Sequence, residues 1–279
     1  MPKVTEEVYH IPGQDEFMPD SHLYVLGKPS SQNLSLIDAG FVGKGSYKVQ
    51  SIQKAGIELS AIKRIIMTHT HLDHIGCLAE ILKQIPWAEL WMHRLEADLL
   101  EQGDERAVYG MDAFQGLCQL QFGLKPGAFR IQVDRKLQGG ETLDLGETGW
   151  EVIHIPGHSM GSIGLYHRSV KILIPGDVVY ADHAIGRFDL YGADAFELKK
   201  SLMRLAELEV DILLPGHNRI VKSLPNDYVL KTVREWDPYL RQWIKLSSRR
   251  CRGNEFFPQP LHQCLSFCNG PLNDFFASR

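Results

Sequence analysis

The 279-residue sequence predicts an α/β fold, and three observations carry that prediction. Short apolar, β-branched runs alternate with stretches whose apolar residues recur at helical spacing. One run, Ile65, Ile66 and Met67, leads directly into His69-Thr70-His71-Leu72-Asp73-His74, and Ile75, Leu78, Ile81, Leu82 and Ile85 then fit one helical face. Three further runs end in Pro-Gly and a metal-competent side chain: residues 152–155 before Pro156-Gly157-His158, 171–174 before Pro175-Gly176-Asp177, and 211–214 before Pro215-Gly216-His217.

Taken in order, residues 23–26 and 34–37 read as strands separated by a turn-rich segment. Residues 47–57 read as a helix ended by Gly56. The run at 65–67 is a buried strand, followed by the helix of 75–85 and a strand over 88–92 that ends at His93. Because His93 lies outside the motif, it is expected to be structural. Residues 94–130 break the strand rhythm, mixing charges with Tyr109, Met111, Phe114, Leu117, Phe122, Leu124 and Phe129. Regularity returns from Asp134 onward. Each Pro-Gly ends a strand: Pro removes a ladder donor, and Gly permits a tight turn with close backbone approach. Three strands then deliver one ligand each to one sheet edge. Residues 226–279 form a separate C-terminal part, in which Tyr228, Val229, Val233, Trp236, Leu240, Trp243 and Ile244 suit an amphipathic helix packed on a main domain of residues 1–225.

The opening motif has its own geometry. On an extended chain alternate side chains share a face, so His69 and His71 point the same way and can hold one ion. Asp73 and His74 are adjacent and converge only if the chain turns, and Asp is a preferred residue for starting a helix. The four polar residues therefore fit a strand-to-helix turn with two ligands for one ion and two for a neighbour. That is the geometry of a two-metal centre, whose ions lie about 3.5–4 Å apart. Three His and one Asp within six residues are hard to explain as packing, because unpartnered ionisable groups beside a core are costly.

His69-Thr70-His71-Leu72-Asp73-His74 resembles the signature of the metallo-β-lactamase superfamily. The resemblance implies an αββα sandwich, two mixed sheets flanked by helices. It also pairs the ligands: His69, His71 and His158 on one metal, Asp73, His74 and His217 on the other, with Asp177 bridging. Leu36-Ile37-Asp38-Ala39-Gly40 resembles an early turn of the family whose Asp supports the metal ligands from behind; on its own residues Asp38 equally suits a turn cap. Gly139-Gly140-Glu141-Thr142-Leu143 resembles a family hairpin. Tyr180, three residues after Asp177, stands as in the acyl-homoserine lactone lactonases, whereas Gly186-Arg187-Phe188-Asp189 resembles a segment of glyoxalase II-like thioesterases and persulfide dioxygenases. Arg187 and Asp189 would there form a structural pair. The C-terminal part has no match to the glutathione-binding helices of glyoxalase II.

Two cations can lower the pKa of a shared water to about 7 and polarise a carbonyl, so the expected activity is hydrolysis. The expected substrate is a small-molecule thioester, with Asp73 orienting the attacking hydroxide and Tyr180 assisting. A lactonase, a mononuclear-iron persulfide dioxygenase, and a binding or redox module are the alternatives. The all-His/Asp set suits two Zn²⁺ ions and would also hold Fe or Mn. A net charge of −4 without a long Lys/Arg run argues against nucleic acid or an anionic membrane as partner, and a homodimer is left open. The sequence has no transmembrane-length apolar stretch and no signal-peptide core. Five scattered cysteines (Cys77, Cys118, Cys251, Cys264, Cys268) suit a reducing cytoplasm. Cys264 and Cys268 beside His262 read as thiols rather than a third metal site.

Overall fold

A computed structural model describes residues 3–14 and 18–250, the last four by backbone alone. The expectations for Cys251, His262, Cys264 and Cys268 therefore lie outside the described residues. Contacts divide the chain into one unit of residues 1–241 and another of 242–279.

Seven strands lie side by side in chain order: β1 (Lys3–Thr5), β2 (Val8–Ile11), β3 (Leu23–Leu26), β4 (Leu34–Ile37), β5 (Ile62–Ile66), β6 (Glu89–His93) and β7 (Arg135–Leu137). Pairing is antiparallel from β1 to β4 and parallel from β4 to β7. The second sheet contains β8 (Thr142–Asp144), β9 (Gly149–His154), β10 (Ile163–His167), β11 (Ile172–Ile174), β12 (Ile212–Leu213) and β13 (Val221–Lys222), in the order β13-β12-β11-β10-β9-β8. Only β11 and β12 pair in parallel there. Since β10 runs antiparallel to both β9 and β11, the strands β9, β11 and β12 share a direction and end at one edge.

Alternation along the central strands explains why two sheets stack. Leu23, Val25, Leu36 and Ile65 belong to one buried cluster, which includes Ile52, Leu78 and Ile81 from the helices. Their neighbours Tyr24, Leu26, Ile37 and Ile66 belong to a second cluster with Trp150, Val152, Leu165 and Ile174 of the other sheet. Consecutive residues thus bury opposite faces, one against helices and one against the second sheet. The helices are α1 (Gly45–Lys54), α2 (Leu72–Ile75), α3 (Leu78–Leu82), α4 (Arg94–Gln102), α5 (Arg106–Tyr109), α6 (Asp112–Phe122), α7 (Ala195–Leu205) and α8 (Tyr228–Arg250). The result is the expected sandwich of two mixed sheets flanked by helices. No helix among the described residues is long and apolar enough to cross a membrane.

One expectation is corrected. The helix predicted over 75–85 is broken between α2 and α3. The His74 carbonyl accepts from the amides of Ala39 and Gly40 (both 2.8 Å), and the Asp73 carbonyl accepts from that of Ser21 (3.1 Å). The Cys77 amide then donates to the Gly40 carbonyl (2.9 Å) instead of continuing the helical ladder. Tertiary bonds to the loop after β4 replace the i→i−4 bonds, and the break locks the motif against that loop. Residues 94–130, irregular in pattern, contain α4, α5 and α6.

Candidate metal centre

The centre lies where the strand ends of both sheets meet. β5 releases His69, His71, Asp73 and His74 through the short α2, while the loops after β9, β11 and β12 bring His158, Asp177 and His217. Two groups result: His69, His71 and His158, and Asp73, His74, Asp177 and His217, each with ligand atoms within 4.8 Å of one another. In the first, His158 Nε2 lies 2.8 Å from His71 Nδ1 and 3.2 Å from His69 Nε2. In the second, His217 Nε2 is 2.9 Å from Asp73 and 3.4 Å from Asp177, and His74 Nε2 is 3.1 Å from Asp177. Asp177 also reaches to 3.8 Å from His158 Nε2, so its carboxylate stands between the groups. Gly216 makes room for this approach: a Cβ there would lie 2.1 Å from Asp177 Oδ1 and 2.7 Å from His74 Cε1.

Outer partners fix the ring orientations. Asp38 accepts from the Thr68 amide (2.7 Å), the Thr68 hydroxyl (2.8 Å) and His74 Nδ1 (2.9 Å). His158 Nδ1 donates to the Arg187 carbonyl (2.8 Å). In both rings the proton is held on Nδ1, which leaves Nε2 facing the centre. Arg187 itself makes a bidentate pair with Asp189 (2.9 and 2.8 Å). His93 lies away from the centre, capping α4 and stacking on His154 at 4.0 Å.

The two groups differ in charge. Burial pushes the pKa of His71 down to about 3, and the neighbouring His158 adds to the shift. Burial and surrounding rings likewise push His69 well down, and burial lowers His158. Burial also opposes charge on His217, but Asp177 and Asp73 outweigh it and raise His217 to about 10. His74 is raised by Asp177 and Asp38 against the same burial penalty. Although burial disfavours its charged form, Asp73 is held down at about 2 by His217 and His74. Three neutral imidazoles thus face a cluster of ion pairs.

The residues fit metal ions. His74 Nε2, His217 Nε2 and Asp177 Oδ1 are buried without an aligned hydrogen-bond partner and are held only by the ion pairs among them and with Asp73. In the first group, three ring nitrogens converge on one another. Such atoms are costly to bury unless a cation completes them. His69, His71 and His158 would hold one ion, and Asp73, His74 and His217 another, with Asp177 between.

Tyr180 is buried beside this centre, its phenol close enough to feel the Asp177 charge and its ring 6.4 Å from that of His217. Burial raises its pKa, and Asp177 adds to the shift, so the phenol keeps its proton. The segment behind it is clasped by α8. Tyr228 donates to the Tyr180 carbonyl (2.9 Å) and accepts from the His183 amide (2.8 Å). Thr232 bonds His183 Nδ1 (2.8 Å), and Trp236 Nε1 donates to the His183 carbonyl (2.8 Å). Sequence reasoning set Tyr228 and Trp236 on an amphipathic helix but missed this role, and it did not single out Thr232, which lies four residues after Tyr228 and four before Trp236.

A family model described as the metallo-beta-lactamase superfamily matches residues 20–217. The chain is 32% identical over 190 residues to hydroxyacylglutathione hydrolase GloC of Haemophilus influenzae, covering 67% of this chain and 80% of that protein. It is 34% identical over 160 residues to the acyl-coenzyme A thioesterase MBLAC2 of Homo sapiens, covering 54% of each. Among solved structures, TTHA1623 in a di-iron-bound form is similar with a TM-score of 0.57 and 27% identity, covering 76% of this chain and 93% of that one. With the match running from β3 to β12 and including all seven converging His and Asp side chains, the chain belongs to the metallo-β-lactamase superfamily of metal-dependent hydrolases.

Proposed function

We propose that the protein hydrolyses small-molecule acyl thioesters at a two-metal centre, most simply with zinc. The observation that supports this best is the pair of adjacent His/Asp groups with Asp177 between them. GloC and MBLAC2, by name, act on acyl groups carried by glutathione and coenzyme A, which supports a thiol carrier here. The di-iron form of TTHA1623 makes iron the second metal to test. Cys77 and Cys118 are free and buried, which suits the reducing cytoplasm.

When bound, the two ions would supply a nucleophile from water at neutral pH and polarise the scissile carbonyl. The chain's residues do the rest. Asp73, ionised and beside His217, can orient the attacking oxygen. Asp38 and the Arg187 carbonyl keep His74 and His158 in the ligating tautomer. Tyr180, protonated at neutral pH, can donate a hydrogen bond to charge developing on the substrate.

That phenol favours a second reading, a lactonase. A lactone's alkoxide stays tethered and leaves poorly, so a donor beside it helps, whereas a thiolate leaves readily. The test is a panel of S-acylglutathiones, short acyl-CoAs, acyl-homoserine lactones and a phosphodiester on metal-replete protein. Preference for a thioester, little changed by Tyr180→Phe, is expected. Preference for the lactone with strong loss in Tyr180→Phe would make the protein a lactonase. Preference for the phosphodiester would overturn the substrate class.

A further inference from the structure

We propose that Glu96 is a positioning residue for the three-histidine site, one buried carboxylate that ties the loop bearing His69 and His71 to the loop bearing His158. The inference rests on the reading of these histidines as metal ligands.

Glu96 is 1% exposed and lies in the first turn of α4, on the face that buries Ala97 and Leu100. A carboxylate on an apolar helix face needs donors. Its Oε1 accepts from the Gly161 amide at 3.1 Å. Its Oε2 and the Thr70 hydroxyl are both buried without an aligned partner, and Ser159 and Thr70 lie near enough to Glu96 to favour its charged form. Thr70 is the residue between His69 and His71, and Ser159 follows His158 directly. Every ligand of the first group is therefore bonded in sequence to a residue that meets Glu96.

The loops need such a tie because they come from different sheets. At their base the Ile163 amide donates to the Thr68 carbonyl (2.9 Å), joining the sheets through the backbone. At their tips the carboxylate, carried by a third element, sets the spacing of the rings. The turn is shaped to admit it: a Cβ on Gly161 would lie 2.8 Å from Glu96 Cγ and 2.9 Å from Cδ. Outer partners that orient ligands typically account for 10–100-fold in metal affinity.

The experiment measures zinc affinity by chelator competition, with stoichiometry by elemental analysis, in wild type and in an Asp73→Ala background where the three-histidine site is the complete one. Glu96→Ala is expected to weaken zinc binding by about 10–100-fold in that background. Glu96→Gln keeps the shape but turns an amide NH₂ toward the Thr70 donors. It is expected to weaken binding by about tenfold, and it serves if the alanine variant does not fold. Glu105 is the control: it is also buried, and it accepts from the Gly127 (3.0 Å) and Phe129 (2.8 Å) amides, neither of which adjoins one of the three histidines in sequence. Glu105→Ala is expected to lower thermal stability but leave zinc affinity within about twofold. Zinc binding unchanged in Glu96→Gln, or weakened equally by Glu105→Ala, would overturn the proposal while leaving the metal centre intact. A wild-type protein that takes up no zinc, iron or manganese would overturn the metal reading along with it.

Discussion

At the scale of single residues, the centre divides into side chains with different protonation. His69, His71 and His158 are neutral at pH 7, so an ion entering there displaces no proton. His74 and His217 have raised pKa values and carry protons where the second ion would sit. Metal binding must release those protons, and release becomes easier as pH rises toward the value of about 10 for His217. Affinity at the second site is therefore expected to climb between pH 6 and 8 while the first stays nearly flat. Zinc titrations across that range check this, and equal slopes would refute it. Substitutions should divide the same way. Asp73→Ala is expected to empty the second site and spare the first, whereas Asp177→Ala should weaken both, read as zinc per chain. Loss of both ions in Asp73→Ala with none lost in Asp177→Ala would break the pairing. The His and Asp residues were legible in the sequence because their chemistry depends on short, fixed offsets. Glu96 was not, since one Glu among the charges of 94–102 looks like any solvated residue until its helix face is known.

At the scale of elements, strands were easier to read than helices. Residues 23–26 and 34–37 form β3 and β4 over the expected positions, because short, mostly apolar runs beside turn residues have few other uses. The apolar periodicity of 75–85 was real but incomplete as a guide: Ile75, Leu78 and Ile81 are all buried, yet carbonyls 73 and 74 bond elsewhere. Long-range bonds to residues 21, 39 and 40 leave no trace in local spacing. The α8 clasp is a similar case, and it carries a prediction. Asp182 and His183 both have φ of +57°, in the left-handed region, which costs roughly 1–2 kcal/mol per residue. Tyr228 helps hold this segment through two bonds, each worth about 0.5–1.5 kcal/mol. Tyr228→Phe is expected to lower unfolding stability by about 1–2 kcal/mol and to speed amide exchange over residues 180–184. Turnover of any substrate that depends on Tyr180 should fall with it. Unchanged exchange in that segment would show that the clasp does not restrain Tyr180.

At the scale of the whole molecule, the seven His and Asp side chains of the centre come from two sheets whose interior is already complete. Trp150, Val152, Leu165 and Ile174 pack against Tyr24, Leu26, Ile37 and Ile66 without help from the centre. The Ile163–Thr68 backbone bond closes the sheets just below it. A metal ion would therefore join strand ends that are in place, unlike a structural zinc site that supplies the folding energy itself. Removing metal should leave the protein folded at 25 °C with the same far-ultraviolet circular dichroism. It should nonetheless lower Tm, because an ion that binds only the folded state adds about 4 kcal/mol when present at about a thousand times its Kd. Buried His and Asp atoms left facing one another add to the loss, since His74 Nε2 and Asp177 Oδ1 have no aligned partner. A thermal scan before and after chelation, then after adding back zinc, iron or manganese, measures the effect. The largest recovery in Tm should come from the metal that also restores hydrolysis. A protein that unfolds on chelation at 25 °C would show that the centre, and not the stacked sheets, holds the fold.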